Sequence, residues 1–167
     1  MIKKILIGLL VALVIIQFFG PKRNLTGNTQ NDISTKYPMP DNVKAIVNKS
    51  CADCHSNKTV YPWYASIQPL GFWLADHVKE GKREMNFNEF ASYRIAKQNH
   101  KLEEVIEQVK EGEMPLPSYT LIHSEAKLTE GEKVTLTQWC QSIMDSLKAN
   151  YPADSLKLKK KKTESAK

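Results

Sequence analysis

Two cysteines separated by two residues and followed at once by a histidine, Cys51-Ala52-Asp53-Cys54-His55, constrain this chain more than any other feature of it. On the first turn of a helix, thiols at that spacing lie on one side and can reach the two vinyl groups of a single porphyrin. The next residue then presents an imidazole to the iron, which is the C-x-x-C-H form of c-type haem attachment. Two other chemistries use part of the pattern: a thioredoxin-like dithiol, which wants a βαβ setting, and a zinc site, which needs two more ligands. No β alternation of useful length appears in the sequence, and the third cysteine, Cys140, stands alone. The expectation is one covalent haem c, attached through Cys51 and Cys54 with His55 as proximal iron ligand. The dithiol and the zinc site are the alternatives.

An iron held by one histidine leaves a sixth position, for which Met114, His77, His123, His100 and Met39 are the candidates. Met114 follows the helix stop at Gly112 and precedes Pro115-Leu116-Pro117, so its thioether sits on a stiffened loop that can press a soft, neutral sulfur against a haem face. A methionine ligand also raises the potential relative to a second histidine, which suits electron transfer. Met114 is therefore the expected distal ligand and His77, on the apolar side of its helix beside Trp73 and Leu74, the alternative. Packing on the core is the plainer role for both residues. Trp63, Trp73 and Trp139 read as haem-pocket and core residues, and Cys140 as a small hydrophobe on a helix face.

The periodicity is helical throughout. Asp41 caps a short helix with Val43, Ile46 and Val47 on one stripe, which delivers the chain to Cys51. A helix is expected from Leu70 to about Lys82, ended by Gly81. Asn86 or Asn88 caps the next, through Phe90, Tyr93 and Ile95, and a further one carries Leu102, Val105, Ile106 and Val109 up to Gly112. Thr129 with Glu132 forms a capping box that opens a last helix bearing Leu136, Trp139, Cys140, Ile143 and Leu147 on one face. The fold class expected is all-α, a cytochrome c-like small helical domain around covalent haem over residues 41 to 150.

Ahead of that domain, residues 5 to 19 are apolar except for Gln17, between Lys3-Lys4 and Gly20-Pro21-Lys22-Arg23. As a helix this run rises roughly 22 Å, short of the ~30 Å hydrocarbon core. Residues 1 to 20 are expected to be an uncleaved signal anchor; a cleaved signal and a buried helix of a soluble fold are the other readings. Residues 21 to 40, rich in Asn, Thr, Asp, Ser and Gly, read as a tether. Residues 151 to 167, with the lysine run 159 to 162, read as a solvated basic tail.

The formal net charge of +6 belongs to the ends, which carry +4 in residues 1 to 23 and +5 in 155 to 167, leaving 24 to 154 at −3. A mildly acidic body lacks the broad basic face that tracking phosphates requires, so nucleic acid is not an expected partner.

The stretch from Cys54-His55-Ser56-Asn57 to Tyr61-Pro62-Trp63-Tyr64, then Trp73, His77, Gly81, Asn86-Phe87, and finally Met114-Pro115 with Tyr119 and His123, resembles the small bacterial haem-binding domain related to cytochromes c. The resemblance covers about residues 36 to 148. It implies Cys51 and Cys54 as attachment points and His55 as proximal ligand, is compatible with Met114 as distal ligand, and brings Tyr61 with Trp63 and Trp73 into the expected pocket. Attachment of c-type haem takes place, in c-type cytochromes generally, on the outer side of the inner membrane. The domain is thus expected to face the periplasm, anchored in the inner membrane through its N-terminal helix or released from it. The function expected is single-electron transfer with redox partner proteins that the sequence does not identify. A haem-based sensor with an open or displaceable sixth ligand is the rival, and peroxidase activity a minor one, since only His77 could serve as a distal acid or base.

Overall fold

Helix-compatible stripes separated by Pro, Gly and Asn leave little else for this backbone to form. The computed structural model describes residues 1–158, and among these it is mostly helical with no β-strand. The expected lysine run at 159 to 162 lies outside the described residues. Seven α-helices are described: α1 (Ile2–Ile16), α2 (Asp41–Ser50), α3 (Ala52–His55), α4 (Leu70–Glu84), α5 (Ile95–Glu111), α6 (Pro117–Thr120) and α7 (Glu130–Asn150). The chain divides into two units that interleave along the sequence. One comprises Met1–Thr29 with Cys51–Asn88, the other Gln30–Ser50 with the chain from Glu89 on.

In the first unit α1 spans 15 residues, carries the apolar run as far as Ile16 and buries none of its residues. Among the described residues no helix is long and apolar enough to cross a membrane. The 3-10 turn Trp63–Ser66 packs on α4, and Tyr64, Ala65 and Leu74 form a small core there with Tyr61 against it. α4 does not end at Gly81 as expected but runs to Glu84, where the Met85 N–H still bonds the Gly81 carbonyl at 2.9 Å. The glycine serves packing instead of termination: a Cβ there would lie 2.8 Å from the Cys54 carbonyl oxygen and 3.1 Å from the Cys54 Cβ. Only a bare Cα lets α4 and α3 approach so closely.

Residues 21 to 40, expected as a tether, are tied down. In the first unit Asn24 donates its backbone N–H to the Tyr61 hydroxyl (2.7 Å) and its side-chain amide to the Ser56 carbonyl (2.8 Å), and accepts from the Thr59 N–H (3.0 Å). Gly27 bonds the Asn57 carbonyl, and Leu25 pairs with Lys58 in an isolated antiparallel bridge. In the second unit Asp32 caps the 3-10 turn Ile33–Thr35, whose Ile33 is fully buried, as Tyr37 nearly is. Polar residues that look like linker in composition are here bonded to chain some 30 residues away, as Asn24 is, or cap a turn, as Asp32 does.

The second unit is built on α2, α5 and α7. The capping box of Thr129 and Glu132 is present, and Leu136, Trp139, Cys140, Ile143 and Leu147 are all buried. Val43, Ile46 and Val47 of α2 and Leu102 and Val109 of α5 are buried as well. The separate helix expected through Phe90, Tyr93 and Ile95 does not form, and α5 runs from Ile95 through the expected Leu102 to Val109 stripe. Residues 87 to 92 form a 3-10 turn, with the Asn86 Oδ1 accepting the Asn88 N–H at 3.0 Å. α5 ends on Gly112 at φ +78°, a left-handed conformation that glycine takes without strain. Beyond α7 a further 3-10 turn, Ala153–Leu156, packs on α5, so the segment expected as a solvated tail begins as folded chain.

Candidate functional site

α3 is a single turn made by the motif itself. The Cys51 carbonyl accepts both the Cys54 N–H (3.2 Å) and the His55 N–H (2.9 Å), which puts the two thiols on one side of the turn and His55 next to them. All three side chains are half-buried, and no disulfide joins the described cysteines. The chain that leaves the motif folds back on it: the Thr59 hydroxyl donates to the Asp53 carbonyl (2.6 Å) and the Val60 N–H to the Asp53 carboxylate (2.9 Å).

The His55 imidazole is oriented by the backbone. Its Nδ1 lies 2.9 Å from the Met85 carbonyl oxygen, and because a carbonyl can only accept, the Nδ1 carries the hydrogen. In the neutral ring that leaves the lone pair on Nε2, the atom that ligates a metal. Donation of the other ring N–H to a carbonyl is the arrangement that fixes ligand histidines.

What fixes Met85 is an asparagine network that the sequence reading missed. The Asn86 side-chain amide donates to the Asn57 Oδ1 (2.8 Å), the Asn57 N–H to the Asn88 Oδ1 (2.8 Å), and the Asn57 amide to the Asn28 carbonyl (2.9 Å). Beside it Asn24 ties the N-terminal segment to the Ser56 carbonyl and to α4, its Oδ1 accepting from the Lys82 ammonium at 2.7 Å. Residues 85 to 88 are thereby pinned to residues 56 and 57, immediately after the motif. The available signal was the pair Ser56-Asn57 and Asn86-Phe87, read only as part of a resemblance.

Burial pushes the Cys54 thiol up to about 11, with the neighbouring Asp53 charge adding to the effect. Dithiol exchange and zinc binding both call for a thiolate, which this environment disfavours. Among the described residues no group of three His, Cys, Asp or Glu side chains could hold a metal ion. The donor set fits a haem better: two thiols on one turn, a histidine with Nε2 presented, and a helix drawn against Cys54.

The remaining expected residues fall into both units. In the first, Tyr61 is half-buried, bonded by Asn24 and overlaid by the Arg23 guanidinium at 4.9 Å from the ring centre. Trp63 is 80% exposed. Trp73 is partly exposed and packs against His77 with ring centres 4.3 Å apart and planes tilted by 47°, the His77 Nδ1 donating to the Trp73 carbonyl (2.9 Å). Trp73, His77 and Gly81 lie at i, i+4 and i+8 on α4, so the indole and imidazole form a stripe leading to the contact with Cys54. Met114, His100, His123 and Met39 belong to the second unit. Met114 is half-buried, its N–H bonded to the Gln108 carbonyl at 3.1 Å. His123 stacks on Tyr119 and faces Glu125, and His100 faces Glu104, which are ordinary surface pairings.

A family model described as a haem-binding domain matches residues 11–142 of this chain. No curated protein and no solved structure matches it.

Proposed function

Since this chain belongs to the haem-binding domain family, we propose that it is a c-type cytochrome: one haem attached covalently through Cys51 and Cys54, ligated by His55 and Met114, passing single electrons. The observation that carries the reading is the His55 imidazole held by the Met85 carbonyl on the same single turn that presents both thiols. When bound, the haem iron supplies a one-electron ferric/ferrous couple. The chain's own residues do the rest. Cys51 and Cys54 would hold the haem as thioethers, the product of adding a thiol across each vinyl group, which needs no oxidant. His55, its Nδ1–H on the Met85 carbonyl, leaves Nε2 free of that bond and would hold the iron through it, as a stronger donor for the bond to the carbonyl. Met114 as sixth ligand rests on the sequence, as the soft residue of a proline-stiffened loop. His77 is the alternative, favoured by its Nδ1 hydrogen bond, which presents Nε2 in the same way.

In this reading the apolar α1 is a membrane anchor and the haem-bearing chain faces the periplasm, where such attachment takes place. The redox partners are other proteins. The test is the optical spectrum of the holoprotein beside a Met114→Ala variant. A weak far-red methionine-to-ferric band that disappears in the variant supports the His/Met electron carrier. A high-spin spectrum in the unaltered protein, with rapid carbon monoxide binding to the ferrous form, replaces it with the ligand-binding sensor.

A further inference from the structure

Gln17 is the one polar residue in the apolar run, and its side chain is fully engaged. Its amide nitrogen donates to the Leu13 carbonyl (2.8 Å) and to the Gln68 carbonyl (3.0 Å), while its Oε1 accepts the Gln68 N–H at 2.9 Å. A two-way bond to the N–H and C=O of one residue is the pairing that a neighbouring strand would make. Here it fastens the end of α1 to the loop before α4. Beyond it the chain stays attached, through Arg23 on the Ser66 hydroxyl (2.8 Å) and Tyr61, then through Asn24. No slack segment separates the apolar helix from the haem-bearing part of this unit.

Around this clamp four large apolar residues are exposed. Phe18 and Phe19 follow Gln17 directly, Ile67 precedes Gln68, Leu70 comes two residues later, and all four are exposed. Lys22 and Arg23 come next along the chain. An apolar helix that is short of the hydrocarbon thickness, then a ring of aromatic and aliphatic side chains, then cations is the order in which a bilayer presents core, interface and phosphates. A water-exposed site gives no reason for the four apolar side chains to gather at the level where the apolar helix ends.

We propose that this collar, Phe18, Phe19, Ile67 and Leu70 locked together by the Gln17–Gln68 clamp, seats the first unit directly on the lipid surface. It rests on the reading of α1 as a membrane anchor and reverses the expected arrangement, in which a tether held the domain away from the bilayer. The haem motif is then carried at a fixed height over the membrane, where a membrane-bound redox partner would meet it.

The experiment uses the full-length holoprotein in nanodiscs of phosphatidylethanolamine and phosphatidylglycerol doped with a diazirine-bearing phospholipid, with peptide mass spectrometry to read the photolabelled residues. Label on residues 5 to 16 reports the anchor, and label on 67 to 70 reports the collar. Both are expected. Gln17→Ala should lose the 67 to 70 label and keep that on α1, with an unchanged haem spectrum; Leu70→Asn, which leaves the clamp intact, should weaken the 67 to 70 label. Label confined to α1 in the unaltered protein overturns the collar while leaving the anchor standing, and retention of the 67 to 70 label in Gln17→Ala overturns the clamp's role. No label at any of these residues overturns both readings.

Discussion

Replacing Gly81 by alanine separates a packing role from a helix-ending role by the sign of its effect. Inside a helix, glycine to alanine ordinarily stabilises by about 1 kcal/mol. At position 81 the new methyl would stand 2.8 Å from the Cys54 carbonyl oxygen and 3.2 Å from its carbonyl carbon, so α3 must retreat by about 0.6 Å to reach an ordinary contact of roughly 3.4 Å. The obstacle is backbone, not the tip of a flexible side chain. Overpacking of this kind costs about 1–3 kcal/mol, so the net change is a loss of about 0–2 kcal/mol, or about 2–4 °C in Tm for each kcal/mol at this chain length. Gly131, in the first turn of α7 with nothing within 4 Å of an added Cβ, is the control; Gly131→Ala should be neutral or stabilising. Thermal melts of the holoproteins measure both. Because α3 and its N-cap Cys51 carry the proposed attachment thiols and His55, Gly81→Ala should also lower the yield of covalent haem, which Gly131→Ala should not. A Gly81→Ala protein more stable than the parent, with full haem yield, would refute the close α3–α4 contact.

Asn86→Ala removes the bond to Asn57 and the acceptor for the Asn88 N–H. We expect it to cost about 1–3 kcal/mol in denaturant melts and to shift the haem reduction potential by loosening the Met85 carbonyl from His55; an unchanged potential would detach the network from the ligand. The Glu132 carboxyl lies below its ordinary value of 4.5, chiefly because it accepts from the Lys49 ammonium and then because of its cap bond to the Thr129 N–H. A depressed carboxyl gives stability that is present above about 4.5 and lost as the pH falls through the lowered value. Glu132→Gln should therefore be less stable at pH 6 and show a shallower acid loss below about pH 4.5, read by urea melts across that range. Trp139→Phe deletes the indole N–H bond to the Pro38 carbonyl (3.0 Å), which links α7 to the start of α2. A loss of about 1 kcal/mol with haem content unchanged is expected.

The helices of the second unit could be read from the sequence because their signals are local: the capping box at Thr129, the αL stop at Gly112, and stripes such as Leu136, Trp139, Cys140, Ile143 and Leu147. What escaped was decided by partners distant in sequence. Gly81 looks like a stop until Cys54 is placed against it, and Asn24 and Asn57 look like linker residues until Tyr61, Ser56 and Asn86 supply their hydrogen bonds. The division into two units was hidden for a similar reason, since residues 30 to 50 interrupt the first unit. At the site, the thiols and histidine were legible because their chemistry depends on spacing alone. The group that orients His55 is a backbone carbonyl, which carries no residue-type signal.

The central claim is covalent haem on Cys51 and Cys54, and it is tested most directly by intact mass spectrometry of the chain produced with a c-type maturation system, after denaturation and acid–acetone extraction. The account predicts a chain heavier by one haem, with the pyridine haemochrome spectrum of two saturated vinyl groups, and no retained haem in Cys51→Ala/Cys54→Ala. A chain at the mass of the bare polypeptide, with all its haem extracted, would contradict it.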